Sequence, residues 1–323
     1  RAADPDSERA EIERADVRVI LRDDPDYPAL LKQIHDPPIM LYVRGELPVE
    51  SSLSLAIVGS RRCSVYGREQ ANRLADLLAD RGLTIVSGGA RGIDTAAHQG
   101  AVRARGRTIA VLGCGLSRNY PPENGELFDD ILEEDGALVS ELPMRYPPLA
   151  QNFLPRNRII AGLSLGVLVV EAAMRSGALS TARQAADLGR TVFAMPGRID
   201  SQTSAGCHRL IQQGAAALVT GPADIVRGLE ESSLPLLGAA LSADRSASAD
   251  DSSVAEAPPQ RPSVGPGDLT DAQRTLYEAL KEAKSLDALL QETGLSAEEA
   301  MTALTVLEIR ALIERQGSQF RRT

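Results

Sequence analysis

The chain has 323 residues, 43% of them hydrophobic and 24% charged, enough for one large core and a smaller second domain, and no apolar run approaches the roughly 20 residues of a membrane span. A net charge of −9 argues at first against a nucleic-acid ligand, and three scattered cysteines, Cys63, Cys114 and Cys207, argue against a disulfide framework or a cysteine zinc site. With no leader pattern at the start, the expected setting is the cytoplasm.

Residues 1–52 are mixed. A charge-rich stretch over 4–24 has a modest apolar rhythm at Ile12, Val17, Val19 and Leu21. A short helix over 27–31 and a strand or extended lead-in over 37–43 follow. From residue 53 to 231 strands and helices alternate. Unbroken apolar runs predict strands over 55–58, 83–86, 108–112, 137–140, 166–170, 191–194 and 216–219. Amphipathic spacing predicts helices over 67–81, 93–105, 122–133, 156–163, 180–188, 207–213 and 222–229. This alternation predicts an extended Rossmann-like parallel sheet with helices on both faces. Residues 232–268 are rich in Ala, Ser, Asp and Pro and read as a disordered linker. Residues 269–323 resume structure as helix, helix–turn–helix and hairpin, the order of a winged helix. Its expected recognition helix, 297–309, carries Glu298 and Glu299 near its start, which favours a protein contact over DNA reading.

Two turns of the same kind carry the chemistry. After the strand over 55–58 comes Gly59-Ser60-Arg61-Arg62; after the strand over 83–86 comes Ser87-Gly88-Gly89-Ala90-Arg91-Gly92. A strand, a Gly-rich turn and a helix N-terminus form an anion site, because free backbone N–H groups and the helix dipole point the same way, and an arginine in the turn adds a bidentate donor for phosphate. In a parallel sheet both turns lie at the carboxyl ends of neighbouring strands, where such sheets bind ligands. A third stretch, Phe153-Leu154-Pro155-Arg156-Asn157-Arg158, sets an aromatic face beside cations, as single-stranded nucleic acid requires. Ser176-Gly177 opens one more helix, and Glu171 ends the strand before it, placed to form a salt bridge with Arg158 or Arg61.

Charge distribution supports an anionic ligand despite the net balance. Residues 54–110 hold nine arginines against four acids, and 142–183 hold five against Glu171 alone, while 111–141 hold eight acids and only Arg118. Screening confines each patch to about a Debye length, roughly 8–10 Å. Gly113-Cys114-Gly115 lacks the third glycine of a dinucleotide fingerprint and no Walker A sequence occurs, so redox and ATPase roles have no support. His35, His98 and His208 have no second histidine at metal-ligand spacing; no metal or cofactor is expected.

These residues together resemble the DprA/Smf family (DNA-processing protein A). The resemblance rests on Gly59-Ser60-Arg61, the 87–98 stretch Ser-Gly-Gly-Ala-Arg-Gly-Ile-Asp-Thr-Ala-Ala-His, Tyr120-Pro121-Pro122-Glu123-Asn124, the 152–164 stretch from Asn152 to Ser164, Glu171-Ala172, Ser176-Gly177-Ala178-Leu179 and Pro196-Gly197. It implies a non-enzymatic, dimeric single-stranded-DNA-binding protein that helps load the RecA recombinase in natural transformation. The implied DNA contacts are Gly59, Ser60, Arg61, Arg62, Ser87, Gly88, Gly89, Arg91, Phe153, Arg156, Asn157, Arg158, Ser176 and Gly177. The implied dimer contacts are His208 and Ile211. Many members carry a helical, sterile-alpha-motif-like domain at the N-terminus, of which residues 1–52 hold only part. The competing reading is a Rossmann-type nucleotide N-glycosidase, resembling the lysine-decarboxylase-like phosphoribohydrolases, with Glu171 as catalytic carboxylate; their PGGxGTxxE-type signature is absent.

Overall fold

The computed structural model describes residues 4–47, 53–231, 271–280, 284–293, 295, 300, 304, 313–316 and 319–322. The expected linker over 232–268 and most of the expected helix over 297–309 lie outside them. The chain divides into two compact units, residues 1–250 and 251–323.

In the first unit the predicted alternation is present. Seven strands are parallel: β3 (Ser54–Val58), β4 (Thr84–Ser87), β5 (Thr108–Val111), β6 (Ala137–Ser140), β7 (Gly166–Val169), β8 (Thr191–Ala194) and β9 (Ala217–Leu218). Two more strands, β1 (Val17–Leu21) and β2 (Met40–Gly45), add to one edge antiparallel. The sheet is therefore mixed rather than wholly parallel. The strand order is β1-β2-β6-β5-β4-β3-β7-β8-β9. The N-terminal segment thus contributes strands to this sheet. Its pattern was weak because β1 is half exposed and short, so apolar periodicity covers few residues.

Period-two alternation decides which helices each strand meets. Leu55 and Ile57 of β3 face a layer with Leu74 and Leu78 of α3 (Val65–Ala79) and Ile93 and Ala97 of α4 (Ile93–Arg103). Ala56 and Val58 face the opposite layer with Ile159 and Ile160 of α6 (Phe153–Gly162) and Ala178 and Ala182 of α7 (Gly177–Asp187). Both faces being covered explains the unbroken apolar strands. His98 sits wholly inside, its Nδ1 2.8 Å from the Thr108 hydroxyl, and burial pushes its pKa down to about 3. It is a neutral packing group. The order reverses between β3 and β7, the topological switch point at which open α/β sheets take ligands.

The helix α1 (Pro5–Arg14) docks by charge. Glu8 accepts from the Met144 amide at 2.8 Å, and Glu11, buried, accepts from Arg145, Arg14 and the Ser117 hydroxyl.

In the second unit, α10 (Asp271–Ala279) and α11 (Leu286–Thr293) accompany a three-stranded sheet ordered β10 (Lys284–Ser285), β12 (Gln319–Arg322), β11 (Ile313–Gln316). Leu276, Leu280, Leu289, Leu304 and Phe320 form its core. The expected hairpin is present, and β10 is a third strand that its two residues could not signal.

The Arg145 hydrogen bond holds the Glu11 carboxyl down at about 2. A depressed folded-state pKa gives stability that is present above the ordinary carboxyl value and lost as pH falls toward the folded one. Thermal midpoints measured across pH 4.5 to 2 should therefore fall steeply for the parent chain and less steeply for Glu11→Gln. Equal slopes would show that the clamp carries no stability.

Candidate nucleic-acid interface

The site begins with one backbone group. The Ser60 N–H donates to the Glu171 carbonyl at 2.8 Å, and the Ser60 carbonyl accepts from the Ile93 N–H at 3.2 Å. The turns after β3, β4 and β7 are thus tied together. Such closeness requires glycine. Gly92 has φ +81, and a Cβ there would lie 2.3 Å from the Ser60 carbonyl oxygen, a position and a conformation only glycine takes without strain.

Glu171 anchors this knot from below. Its carboxylate accepts from the Ser64 N–H at 2.8 Å and from the Ser64 hydroxyl at 2.5 Å, while Ser64 Oγ accepts from the Gly67 N–H at 3.0 Å and so caps α3. This corrects the expected salt bridge to Arg158 or Arg61. A buried carboxylate beside a helix start is satisfied by N–H donors and needs no arginine.

Above the knot lies a groove of about 730 Å³. Gly59, Ser60, Arg61 and Arg62 form one wall; Phe153, Arg156 and Asn157 form the floor; Ser176 and Gly177 open α7 at the other side. The Ser176 hydroxyl accepts from the Ala178 N–H at 3.2 Å. The Arg61 guanidinium lies over the Phe153 ring, 4.8 Å from its centroid. Arg62 is exposed and makes no ion pair among the described residues.

Arg156 differs from these. It is 4% exposed, donates to the Gly88 carbonyl at 2.7 Å and to the Val111 carbonyl, and stands beside Asp94. A Cβ at Gly88 would lie 2.6 Å from Asp94 Oδ2 and 2.8 Å from Arg156 Nη2. Burial lowers the Arg156 pKa to about 10, which leaves it charged at neutral pH. Burial also raises Asp94 to about 6, with Arg156 acting against that rise. Arg156 is a buried strut whose edge reaches the groove floor.

Five expected contacts are placed elsewhere. Arg158 donates to both oxygens of Glu141, at 2.8 and 2.6 Å, and to the Asp36 carbonyl at 2.9 Å; it is not among the residues lining the groove and joins residue 36 to the loop after β6. Two helical steps from Arg156 rotate it about 200° away, which closeness in sequence conceals. Ser87 is fully buried and donates to the Ile57 carbonyl at 2.6 Å, bracing β4 against β3. Gly89 (φ +62) lies under Leu112 and Phe128. Arg91 is held by Glu123 and, with Gly88, lines a smaller recess on the far side of the Arg61–Phe153 pair. Tyr120, which no sequence pattern marked as a contact, also lines that recess; its ring is tilted 43° to Phe153 with centroids 5.8 Å apart. Gln202 and Thr203 line the main groove, from a loop with no periodic signal.

On α8 (Ala205–Gln212) the His208 Nε2 is 3.0 Å from the Gly197 carbonyl and 3.2 Å from its N–H, and Ile211 is half-buried against the core. Both stand near β9, the edge strand, where Leu218 is 47% exposed. Among the described residues no group of three or more His, Cys, Asp or Glu is placed to hold a metal, and no helix is long and apolar enough to cross a membrane.

A doubly wound sheet with an arginine-lined groove at its switch point defines a Rossmann-like α/β protein. Residues 18–230 match the family described as DNA recombination-mediator protein A, and residues 255–319 match the DprA winged helix domain. The chain belongs to the DNA recombination-mediator protein A family. It is 50% identical over 219 residues to Protein Smf of Escherichia coli K12, covering 68% of this chain and 58% of that one. It is 46% identical over 204 residues to the DNA processing protein DprA of Streptococcus pneumoniae R6, covering 63% of this chain and 71% of that one. The X-ray structure of the S. pneumoniae protein aligns with TM-score 0.64 at 42% identity, over 70% of this chain and 78% of that one. A structure of DNA processing protein A from Helicobacter pylori, described for its single-stranded DNA binding mode, aligns with TM-score 0.60 at 30% identity over 67% of this chain and 96% of that one. The chain spans 58% and 50% of the Smf proteins of E. coli and Synechocystis.

The two classes of arginine should separate on mutation. Arg156→Met leaves the buried Gly88 and Val111 carbonyls without their donor and should cost about 1–3 kcal/mol for each in chemical denaturation. Arg62→Ala, at an exposed site, should change stability by no more than about 0.5 kcal/mol. Equal small losses would show that Arg156 is not a strut.

Proposed function

We propose that this chain binds single-stranded DNA in the groove between the β3, β4 and β7 turns, as a recombination mediator without catalytic activity of its own. The Arg61–Phe153 pair carries the reading. A guanidinium lying on an aromatic ring offers a flat cationic face on which any base stacks, next to the N-terminus of α7, where backbone N–H groups favour phosphate. The H. pylori relative, described for its single-stranded DNA binding mode, supports it.

The lining also favours binding over hydrolysis. Among the described lining residues the one carboxylate is Asp94, placed beside Arg156, and Glu171, the alternative catalytic carboxylate, is committed to Ser64. The same reading extends to RecA as a partner in natural transformation, to a cytoplasmic setting, and to a homodimer formed through the face of α8 and β9 that carries His208 and Ile211. The second unit takes the protein-contact role.

Labelled oligo-dT titrated into the full chain, with equal-length duplex as competitor and at two salt concentrations, tests the proposal. Tight binding that weakens steeply with salt and resists duplex competition is expected, and Arg61→Ala should weaken it about tenfold for all sequences, the size of one lost stacking contact. No binding at low salt, with ribose phosphate released from a nucleoside monophosphate, would overturn the reading in favour of the glycosidase. In sedimentation, Ile211→Asp should shift the chain toward monomer; an unchanged distribution would place the dimer face elsewhere.

A further inference from the structure

A smaller recess shares residues with the groove. Arg61 stands on the wall common to both recesses, and Arg91, Tyr120, Gly88 and Gly113 complete the smaller one. Its volume is about 20 Å³ against about 730 Å³ for the groove, room for one water and not for a base. One of its lining groups, Arg91, is engaged in an ion pair with a residue outside the recess. Arg91 donates through Nε and Nη2 to the two oxygens of Glu123, the second at 3.0 Å, and Tyr120 lines the recess with the same Arg91. Both partners are half exposed, Arg91 at 53% and Glu123 at 50%. Behind them the wall is bare of side chains at Gly88 and Gly113, where a Cβ would lie 2.6 Å from Asp94 and 2.9 Å from the Phe153 ring respectively.

We propose that this recess is a second nucleotide subsite and that Glu123 is the anion a DNA phosphate displaces. Carboxylate and phosphate compete for the same bidentate fork of arginine donors, so the exchange replaces one anion by another. The exposed Arg91–Glu123 pair is inexpensive to break. The Tyr120 ring stands 5.8 Å from Phe153, so that the next base has an aromatic face on the far side of the Arg61–Phe153 stack. The strand then runs from the groove across Arg61 into the recess. The inference rests on the single-stranded-DNA reading above and adds to it a residue, Glu123, that opposes binding.

The experiment is a fluorescence-anisotropy titration of the full chain with an oligo-dT length series at several salt concentrations. Glu123→Gln should bind about two- to fivefold more tightly, the fold-change that corresponds to an exposed ion pair no longer broken. Arg91→Ala should bind more weakly, and adding Glu123→Gln to Arg91→Ala should change nothing further. Asp76→Asn, which breaks the comparable exposed pair of Asp76 with Arg103 on α3 and α4, should leave affinity unchanged. Tyr120→Phe keeps the ring and should bind at least as well as the parent, while Tyr120→Leu should lose affinity for long oligonucleotides and match the parent on the shortest that bind. A loss of affinity in Glu123→Gln would show that Glu123 positions Arg91 for phosphate and would overturn the proposal. An equal gain from Glu123→Gln in the Arg91→Ala background would show a general charge effect and would overturn it too. Parent binding with none of these differences removes the second subsite alone, whereas absence of parent binding to any oligonucleotide removes the DNA reading itself.

Discussion

The site depends on the two hydrogen bonds of the Ser60 backbone. Through them the end of β3 holds the end of β7 by the Glu171 carbonyl and the start of α4 by the Ile93 amide. Three loops from distant parts of the chain converge because the sheet reverses direction of growth between β3 and β7. The carboxylate of Glu171 then fixes the start of α3 through Ser64. Polar groups brought this close at the end of a covered sheet must satisfy one another, since an unpaired buried donor costs about 1–3 kcal/mol. That requirement consumes Glu171 and leaves Arg61 and Arg62 free to face outward.

Arginine does three kinds of work here, sorted by burial. Arg156 is inside, donates to two backbone carbonyls and feels the charge of Asp94. Arg158 and Arg145 fasten the N-terminal segment to the sheet, through Glu141 and Asp36 in one case and Glu11 in the other. Arg61, Arg62 and Arg91 face recesses. A chain of net charge −9 can present a cationic groove because its acids lie largely in a different segment and because screening limits the reach of each patch. The acidic segment does reach the site at one point, where Glu123 meets Arg91.

The sequence carried the alternation of strand and helix, the two Gly- and Arg-bearing turns and their common edge. It carried them because they are local: apolar runs mark covered strands, glycines mark close approach of backbone, and parallel connection forces the turns onto one side. The joining of β1 and β2 to the sheet was not legible, because strands of five and six residues with mixed burial have no strong period. Tyr120 was passed over as a contact for a related reason. It lies 33 residues before Phe153, in a proline-rich turn, and only folding sets the two rings together.

What the sequence determined by itself is the fold class and the chemical kind of the site, since both follow from residue type and short spacing. What the tertiary structure decided is the partner of each charged group. Arg156 and Arg158 are two positions apart, yet one is a strut beneath the groove and the other a clasp beyond it. Glu171 meets a serine rather than an arginine, and Arg91 meets Glu123 from another loop. Such pairings depend on direction and burial, which change with every 100° step of a helix and with which loops the sheet brings together. No pattern along the chain encodes that proximity, so it becomes fixed only when the core closes.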